Sequence, residues 1–181
     1  LANKELRVLL GLTETPQAIV VQKDIHIQAP AEELYSFWSN FDNLPKFMEH
    51  LKEVKDLGGG RSRWKVVGPA QIPVFWEAIV TRRIPNEEIA WESLQGSPVK
   101  TSGVVKFLPT PEGGTRVTVR LGYTPPAGAL GHIVASILGH DPKKALDDDL
   151  GRLKTLFESG KTRIKGEKIT QEELRKAQKE S

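Results

Sequence analysis

The side chains of this chain that could perform chemistry are scattered rather than grouped. Its histidines are His26, His50, His132 and His140, and no two of them have the i, i+3 or i, i+4 spacing that places two ligands on one helix face. Cysteine is absent, which excludes disulfides, thiolate metal sites and a cysteine nucleophile. No HExxH or GxSxG motif occurs. The pattern therefore predicts no metal site, no cofactor and no catalytic residue.

The acidic side chains give no clear acid or base. Asp147, Asp148 and Asp149 are consecutive and resemble a metal-binding or acidic cluster. Because consecutive residues of a helix point in different directions, a solvated face is the favoured interpretation. Glu77 and Glu92 fall on the polar face of their strands, although a bulge of one residue would reverse that assignment. The sequence predicts no buried carboxylate.

A few polar residues fall on the apolar face and could orient a ligand. They are Arg82, Ser93, Gln95, Thr101 and Tyr123. Arg82 and Tyr123 are the candidates for anchoring the polar end of an otherwise apolar ligand, because pockets of this kind use a few placed polar groups. The alternative is that Arg82 forms a surface ion pair and that the Tyr123 hydroxyl lies in water.

The elements that must position these side chains follow a simple order. Residues 19–28, "IVVQKDIHIQ", alternate apolar and polar, which is typical of a half-buried strand. Residues 29–54 predict two short helices, the first opened by Pro30 and the second formed by "LPKFMEH". Six further strand-like runs and their turns follow. Residues 127–160 carry the longest helical pattern, which restarts at Asp141-Pro142 and ends at Gly160.

This order of elements predicts an internal cavity. The strand runs alternate between a dry and a wet face, as in an antiparallel sheet. One helix, about 10–12 Å across, cannot fill the buried side of a twisted seven-stranded sheet. We expect the remaining space to be lined by large apolar side chains, with the alternative that these side chains simply fill it. The predicted lining residues are Trp38, Phe41, Phe47, Trp64, Trp76, Trp91, Phe107, Tyr123, Val134 and Ile137.

Charge and length divide the chain into three parts. Residues 161–181 contain seven Lys and Arg against four acids, so this segment accounts for the net charge of +3 and the other residues are neutral. A nucleic-acid-binding domain concentrates positive charge on its folded surface, so no nucleic-acid partner is predicted. We expect residues 1–17 to be a connector or amphipathic segment, residues 18–160 to be one folded domain, and residues 161–181 to be a basic polar tail.

The order of elements and several segments resemble a known family. The segments are "APAEELYSFWSNFDNLPKFMEHLKEV", "RWKVVGPA", "FWEAIVTRRIPNEEIAWESLQGSPVKTSGVVKFLPTP" and "YTPPAGALG". Across about residues 19–158 the chain resembles the polyketide cyclase/dehydrase branch of the START-like (SRPBCC) superfamily. The resemblance implies an α+β helix-grip fold, in which a seven-stranded antiparallel sheet wraps around a long C-terminal helix and encloses a hydrophobic cavity. It also implies that a small membrane-embedded domain often precedes such chains, which would suit a sequence that begins at Leu1.

The functional expectation is binding of a hydrophobic small molecule or lipid in the cavity. One alternative is a cyclase/dehydratase-type enzyme acting on an aromatic polyketide-like substrate, in which Tyr123 or Arg82 would polarise a carbonyl. A second alternative is a regulatory module attached to an upstream membrane domain, with the basic tail meeting anionic lipid. The expected location is the cytoplasm, including the cytoplasmic face of a membrane.

Overall fold

The structure, a computed structural model, describes residues 18–126, 128–138 and 141–180. The predicted N-terminal segment 1–17 and His140 lie outside the described residues. The sheet strands are β1 (Ile19–Ile27), β2 (Leu51–Gly58), β3 (Arg61–Val67), β4 (Pro73–Ile84), β5 (Glu88–Ser93), β6 (Lys100–Pro109) and β7 (Thr115–Thr124). The helices are α1 (Ala31–Ser39), α2 (Ala129–Leu138), α3 (Pro142–Ser159) and α4 (Gln171–Glu180), with 3-10 helices at Phe41–Lys46 and Pro69–Gln71. A hairpin of β8 (Lys161–Ile164) and β9 (Glu167–Thr170) precedes α4.

The seven long strands form one antiparallel sheet in the order β1-β7-β6-β5-β4-β3-β2. Strands β2 to β7 are a meander in which each strand pairs with the next, and β1 closes the sheet beside β7. The predicted alternation of faces is confirmed, since Trp64, Val105 and Val117 are buried while Arg63, Lys106 and Arg116 are exposed. One face of the sheet therefore carries the core, and the predicted α+β helix-grip class is confirmed.

The two short helices after β1 form a tight corner. The side chain of Asn40 accepts a hydrogen bond from the Asp42 amide, which begins the 3-10 helix at Phe41. The buried Asn43 amide donates to the Phe37 carbonyl and accepts from Lys46. The second short helix therefore begins earlier than the predicted "LPKFMEH", because side-chain hydrogen bonds within "NFDN" replace the expected interruption.

The long C-terminal helical pattern is divided into α2 and α3. The carboxylate of Asp141 accepts a hydrogen bond from the Lys144 amide, Pro142 occupies the first turn, and Gly160 ends α3 in the left-handed conformation. These are the predicted cap residues. Helix α3 is held on β1 through Lys154, whose ammonium donates to the His26 carbonyl at 2.6 Å. Within the described ranges, no helix is long and apolar enough to cross a membrane.

The segment predicted as a basic polar tail is folded from Lys161 to Glu180. Its hairpin and helix bury Thr162, Ile164 and Leu174. The tail was predicted from its charge, but a short hairpin can bury alternate side chains while the intervening charged ones stay in water. The basic residues of this segment therefore belong to a folded hairpin and helix.

Candidate ligand-binding site

A cavity of about 140 Å³ lies between the buried face of the sheet and helices α2 and α3. Strands β3, β4 and β5 contribute Trp64, Trp76 and Trp91 to its wall, and α2 contributes Val134 and Ile137. Most of the other wall residues are also apolar; they include Val21, Met48, Leu51, Val66, Val99, Leu121, Ala145 and Leu146. The sheet and the helices thus do not meet completely, and a hydrophobic space remains between them.

The three tryptophans of the wall are stacked. The ring of Trp64 lies 5.8 Å from that of Trp76 at 24° and 6.2 Å from that of Trp91 at 21°. The indole nitrogen of Trp64 donates a hydrogen bond to the Ser62 hydroxyl at 2.9 Å, which fixes the orientation of the central ring. This stack gives the cavity a flat aromatic wall.

Six of the predicted lining residues lie at the cavity, namely Trp64, Trp76, Trp91, Tyr123, Val134 and Ile137. The other four, Trp38, Phe41, Phe47 and Phe107, are buried in the adjacent core. Trp38 lies 5.2 Å from Phe47 and 6.3 Å from Phe107, and Phe41 lies 5.3 Å from Trp91. Their placement as cavity lining is corrected, because contacts with other aromatic rings bury all four away from the cavity surface.

The two predicted polar anchors are in different places. Tyr123 is half-buried at the cavity wall, and burial raises the pKa of its hydroxyl. Arg82 lies away from the cavity, with 62% of its side chain exposed and its guanidinium 3.3 Å from the Glu88 carboxylate. The register of β4 and β5 shifts between Val80 and Arg82, so a bulge turns Arg82 away from the apolar face. Arg82 therefore forms the surface ion pair given above as the alternative.

Asp149 is a buried carboxylate at the cavity wall, and the prediction that no buried carboxylate exists was wrong. Only 5% of the residue is exposed. Its Oδ1 atom accepts hydrogen bonds from the Glu49 amide at 3.1 Å and from the guanidinium of Arg152. Burial raises the pKa of this carboxyl to about 6, although both hydrogen bonds favour the ionised form. The site therefore has an ionisable group that titrates near neutral pH.

The helical spacing of α3 contains the signal that would have identified Asp149. The residue lies three positions after Leu146 and four before Leu153, on the stripe that faces the core. Asp147 pairs with Lys23 at 3.1 Å and Asp148 with Lys144 at 2.5 Å, so these two carboxylates are directed elsewhere. Across the described part of the chain, no three His, Asp or Glu side chains are grouped to hold a metal ion.

His50 lies where the cavity meets a neighbouring polar groove. It borders both spaces, as does Ile137. Burial lowers the pKa of the imidazole, and the positive charges of Arg152 and Lys165 lower it further against the opposing effect of Glu49. His50 is the last residue of the predicted helix "LPKFMEH", and the sequence predicts no function for it.

A seven-stranded antiparallel sheet that is covered by helices over an apolar cavity defines a START-like helix-grip domain. Residues 27–150 match the family model described as "Polyketide cyclase / dehydrase and lipid transport". The chain belongs to this family, as the resemblance implied.

Similar proteins from several bacteria align with most of this chain. A protein of Deinococcus radiodurans, known from its crystal structure, is 40% identical, covers 78% of this chain and 98% of its own, and superposes with a TM-score of 0.65. An uncharacterised 17.2 kDa protein of Streptomyces lincolnensis is 25% identical over 138 residues, which are 76% of this chain and 89% of that protein. The Zhui aromatase/cyclase of a Streptomyces species is 16% identical, with a TM-score of 0.57 over 77% of this chain and 96% of its own. At that identity the likeness shows a shared fold.

Proposed function

We propose that this domain binds a small apolar molecule, or an apolar part about the size of one aromatic ring, in the cavity beside Trp64 and Trp91. The observation that carries this proposal is the cavity itself, with a volume of about 140 Å³ and a predominantly apolar wall. An engineered apolar cavity of about 150 Å³ in another protein binds benzene. The volume favours one ring or a short chain segment over a whole lipid.

The polar groups at the wall support binding in a fixed orientation. Tyr123 pairs with Thr101 across β6 and β7, and both residues border the cavity together with Ser102. An apolar pocket with a few hydroxyl groups at one side is typical of small-molecule sites. The hydroxyl groups offer donors and acceptors to a polar substituent, while the tryptophan stack contacts the ring.

A cavity-filling substitution tests the proposal. Toluene is the probe, and its binding is followed by the change in tryptophan fluorescence, since three tryptophans border the cavity. Val134→Phe adds bulk at a buried wall position and should abolish the response. Ala135→Phe, one residue further along α2 on its exposed side, adds more bulk outside the cavity and should leave the response unchanged. A wild-type protein that gives no saturable response to toluene would contradict the proposal.

A second candidate function is proton transfer within the cavity, and the buried carboxyl of Asp149 is the observation that favours it. A group with a pKa of about 6 can give or take a proton near neutral pH. Such a group would take a proton from an α-carbon of a bound poly-β-ketone, which then attacks another carbonyl of the same molecule. The resulting alkoxide takes up a proton, and loss of a further α-proton expels the hydroxyl as water. The test is the release of water from a short poly-β-ketone thioester, followed by mass spectrometry. Wild-type protein should accelerate the reaction and Asp149→Asn should not; equal rates with and without wild-type protein would contradict this candidate.

A further inference from the structure

We propose that the bound molecule carries a carboxylate, and that this anionic group lies in the polar groove formed by Glu49, His50, Lys52, Gly68 and Lys165 beside the cavity. This inference rests on the proposed function, because the cavity must hold the apolar part of the same molecule. The groove has a volume of about 400 Å³. One of its basic residues, Lys165, lies beyond the family match, which ends at residue 150.

The groove and the cavity are adjacent. His50 and Ile137 border both, so a short linker passing these two side chains would connect a ring in the cavity to a group in the groove. The walls differ sharply in chemistry. Tryptophan and aliphatic side chains make up most of the cavity wall, whereas the groove has charged side chains, Gln71 and Ser136 beside Val67 and Pro69. An amphipathic molecule matches this change from apolar to polar surroundings.

The charges around the groove favour an anion. Lys52 and Lys165 both border it, and neither forms an ion pair with any residue in the ranges that the structure describes. The guanidinium of Arg152 is engaged by Asp149 and lies 3.9 Å from the Glu49 carboxylate. Two lysines and one carboxylate, that of Glu49, thus border the groove, which leaves an excess of positive charge there. A carboxylate would form charge-assisted hydrogen bonds with their ammonium groups.

Lys165 borders the groove from a turn position that does not favour lysine. The two-residue turn between β8 and β9 has Lys165 and Gly166 with φ values of 52° and 79°. Both positions of such a turn need positive φ, for which Asn-Gly is the preferred sequence rather than Lys-Gly. The Lys165 ammonium donates to the Leu51 carbonyl at 2.5 Å, and partial burial together with the nearby Lys52 lowers its pKa. The turn therefore holds a cation beside Lys52, where an anion would relieve the repulsion between the two.

Two probes that differ in their terminal group test the inference. 4-Phenylbutyrate and 4-phenylbutan-1-ol share a ring and a linker, and only the first carries a carboxylate. We expect the carboxylate to bind roughly fivefold more tightly at low salt, the effect of a partly exposed ion pair. Increasing the salt concentration should reduce this preference and leave the alcohol's affinity unchanged. Affinities are measured by isothermal titration calorimetry on the full chain.

The matched variants are Lys165→Asn and Lys161→Asn. The first removes the ammonium from the groove and supplies the preferred turn residue, so the hairpin should remain folded. The second makes the same change at an exposed position on the same hairpin. Lys165→Asn should remove most of the preference for the carboxylate, and Lys161→Asn should retain it.

The outcomes separate the two proposals. Equal affinities for the two probes, unaffected by Lys165→Asn, would leave the cavity proposal standing and overturn the anion proposal. A preference for the carboxylate that falls equally in both variants would also overturn it, because general charge would then be the cause. If neither probe binds although toluene does, the anion proposal fails and the cavity proposal stands; if toluene does not bind either, both fail.

Discussion

The indole ring of Trp91 lies directly on Gly103 of the neighbouring strand. These residues are register partners on β5 and β6, and a Cβ atom added at Gly103 would lie 2.2 Å from Cζ2 of Trp91. Such a contact is far inside van der Waals separation, so a side chain at residue 103 would displace the ring. The position of one wall of the cavity therefore depends on a residue that does not itself border it.

We expect Gly103→Ala to lower the free energy of unfolding by about 1–3 kcal/mol, the usual effect of overpacking a core. It should also weaken toluene binding, because the displaced Trp91 ring changes the cavity wall. Chemical denaturation measures the first effect and fluorescence titration the second. Replacing Trp91 with Leu in the same chain should remove much of the added cost, so strictly additive effects in this double-mutant cycle would contradict the contact.

Asp149 should make the stability of the protein depend on pH. Burial raises the pKa of its carboxyl from 3.8 to about 6, so the folded chain binds a proton more readily than the unfolded chain. The contribution of this group to the free energy of unfolding is therefore greatest below pH 4 and falls as the pH rises through about 6, by roughly 2–3 kcal/mol.

Urea unfolding of wild-type protein and Asp149→Asn at several pH values between about 4 and 7 measures this effect. The free energy of unfolding is plotted against pH for each protein. The difference between the two plots isolates Asp149, because the other titrating groups are common to both proteins. The free energy of unfolding of wild type, relative to that of the variant, should fall with increasing pH over this range. A difference in the free energy of unfolding that does not change with pH would contradict the raised pKa of Asp149.

Much of the fold could be predicted from the sequence because its signals are local. The alternation around Trp64 or Val117 identifies the buried face of each strand, and Asp141, Pro142 and Gly160 identify the ends of α3. These features depend on neighbours within a few residues. They can therefore be recognised without knowledge of the tertiary structure.

The site could be predicted only in part because its details depend on distant contacts. Trp38 and Trp91 are both buried and their rings lie 6.5 Å apart, yet only Trp91 of the two borders the cavity. Their tertiary packing, which the sequence does not show, separates the two. The bulge beside Arg82 has no clear sequence signal. Asp149 was different, since the helical spacing of α3 already placed it on the buried stripe.

The loop between β3 and β4 should be strained. Ala70 and Gln71 both have positive φ, at 55° and 61°, although neither is glycine. Because glycine adopts this conformation without steric cost, Ala70→Gly should raise the free energy of unfolding by about 0.5–1 kcal/mol. Thermal unfolding measures the change. Ala135→Gly, the same substitution on an exposed face of α2, should lower stability by about 1 kcal/mol, and similar losses in both variants would contradict the strain.

Helix α4 should contribute to the stability of the domain through Leu174. This side chain is buried on α4 and borders a groove together with Phe37 of α1 and Phe157 of α3. We expect Leu174→Ala to lower the free energy of unfolding by about 2–3 kcal/mol. Lys179→Ala, at an exposed position on the same helix, should change it by less than about 0.5 kcal/mol. Equal, small effects in denaturant unfolding would mean that α4 does not dock on the domain.

The most direct test of the account is whether the space between the tryptophan stack and α2 admits a guest. Xenon enters dry apolar cavities of this size and scatters X-rays strongly. In a crystal pressurised with xenon, we predict a bound atom bordered by Trp64, Trp91 and Val134, and no such atom in Val134→Phe. Side chains that fill this space in wild type, with no xenon between them, would contradict the account.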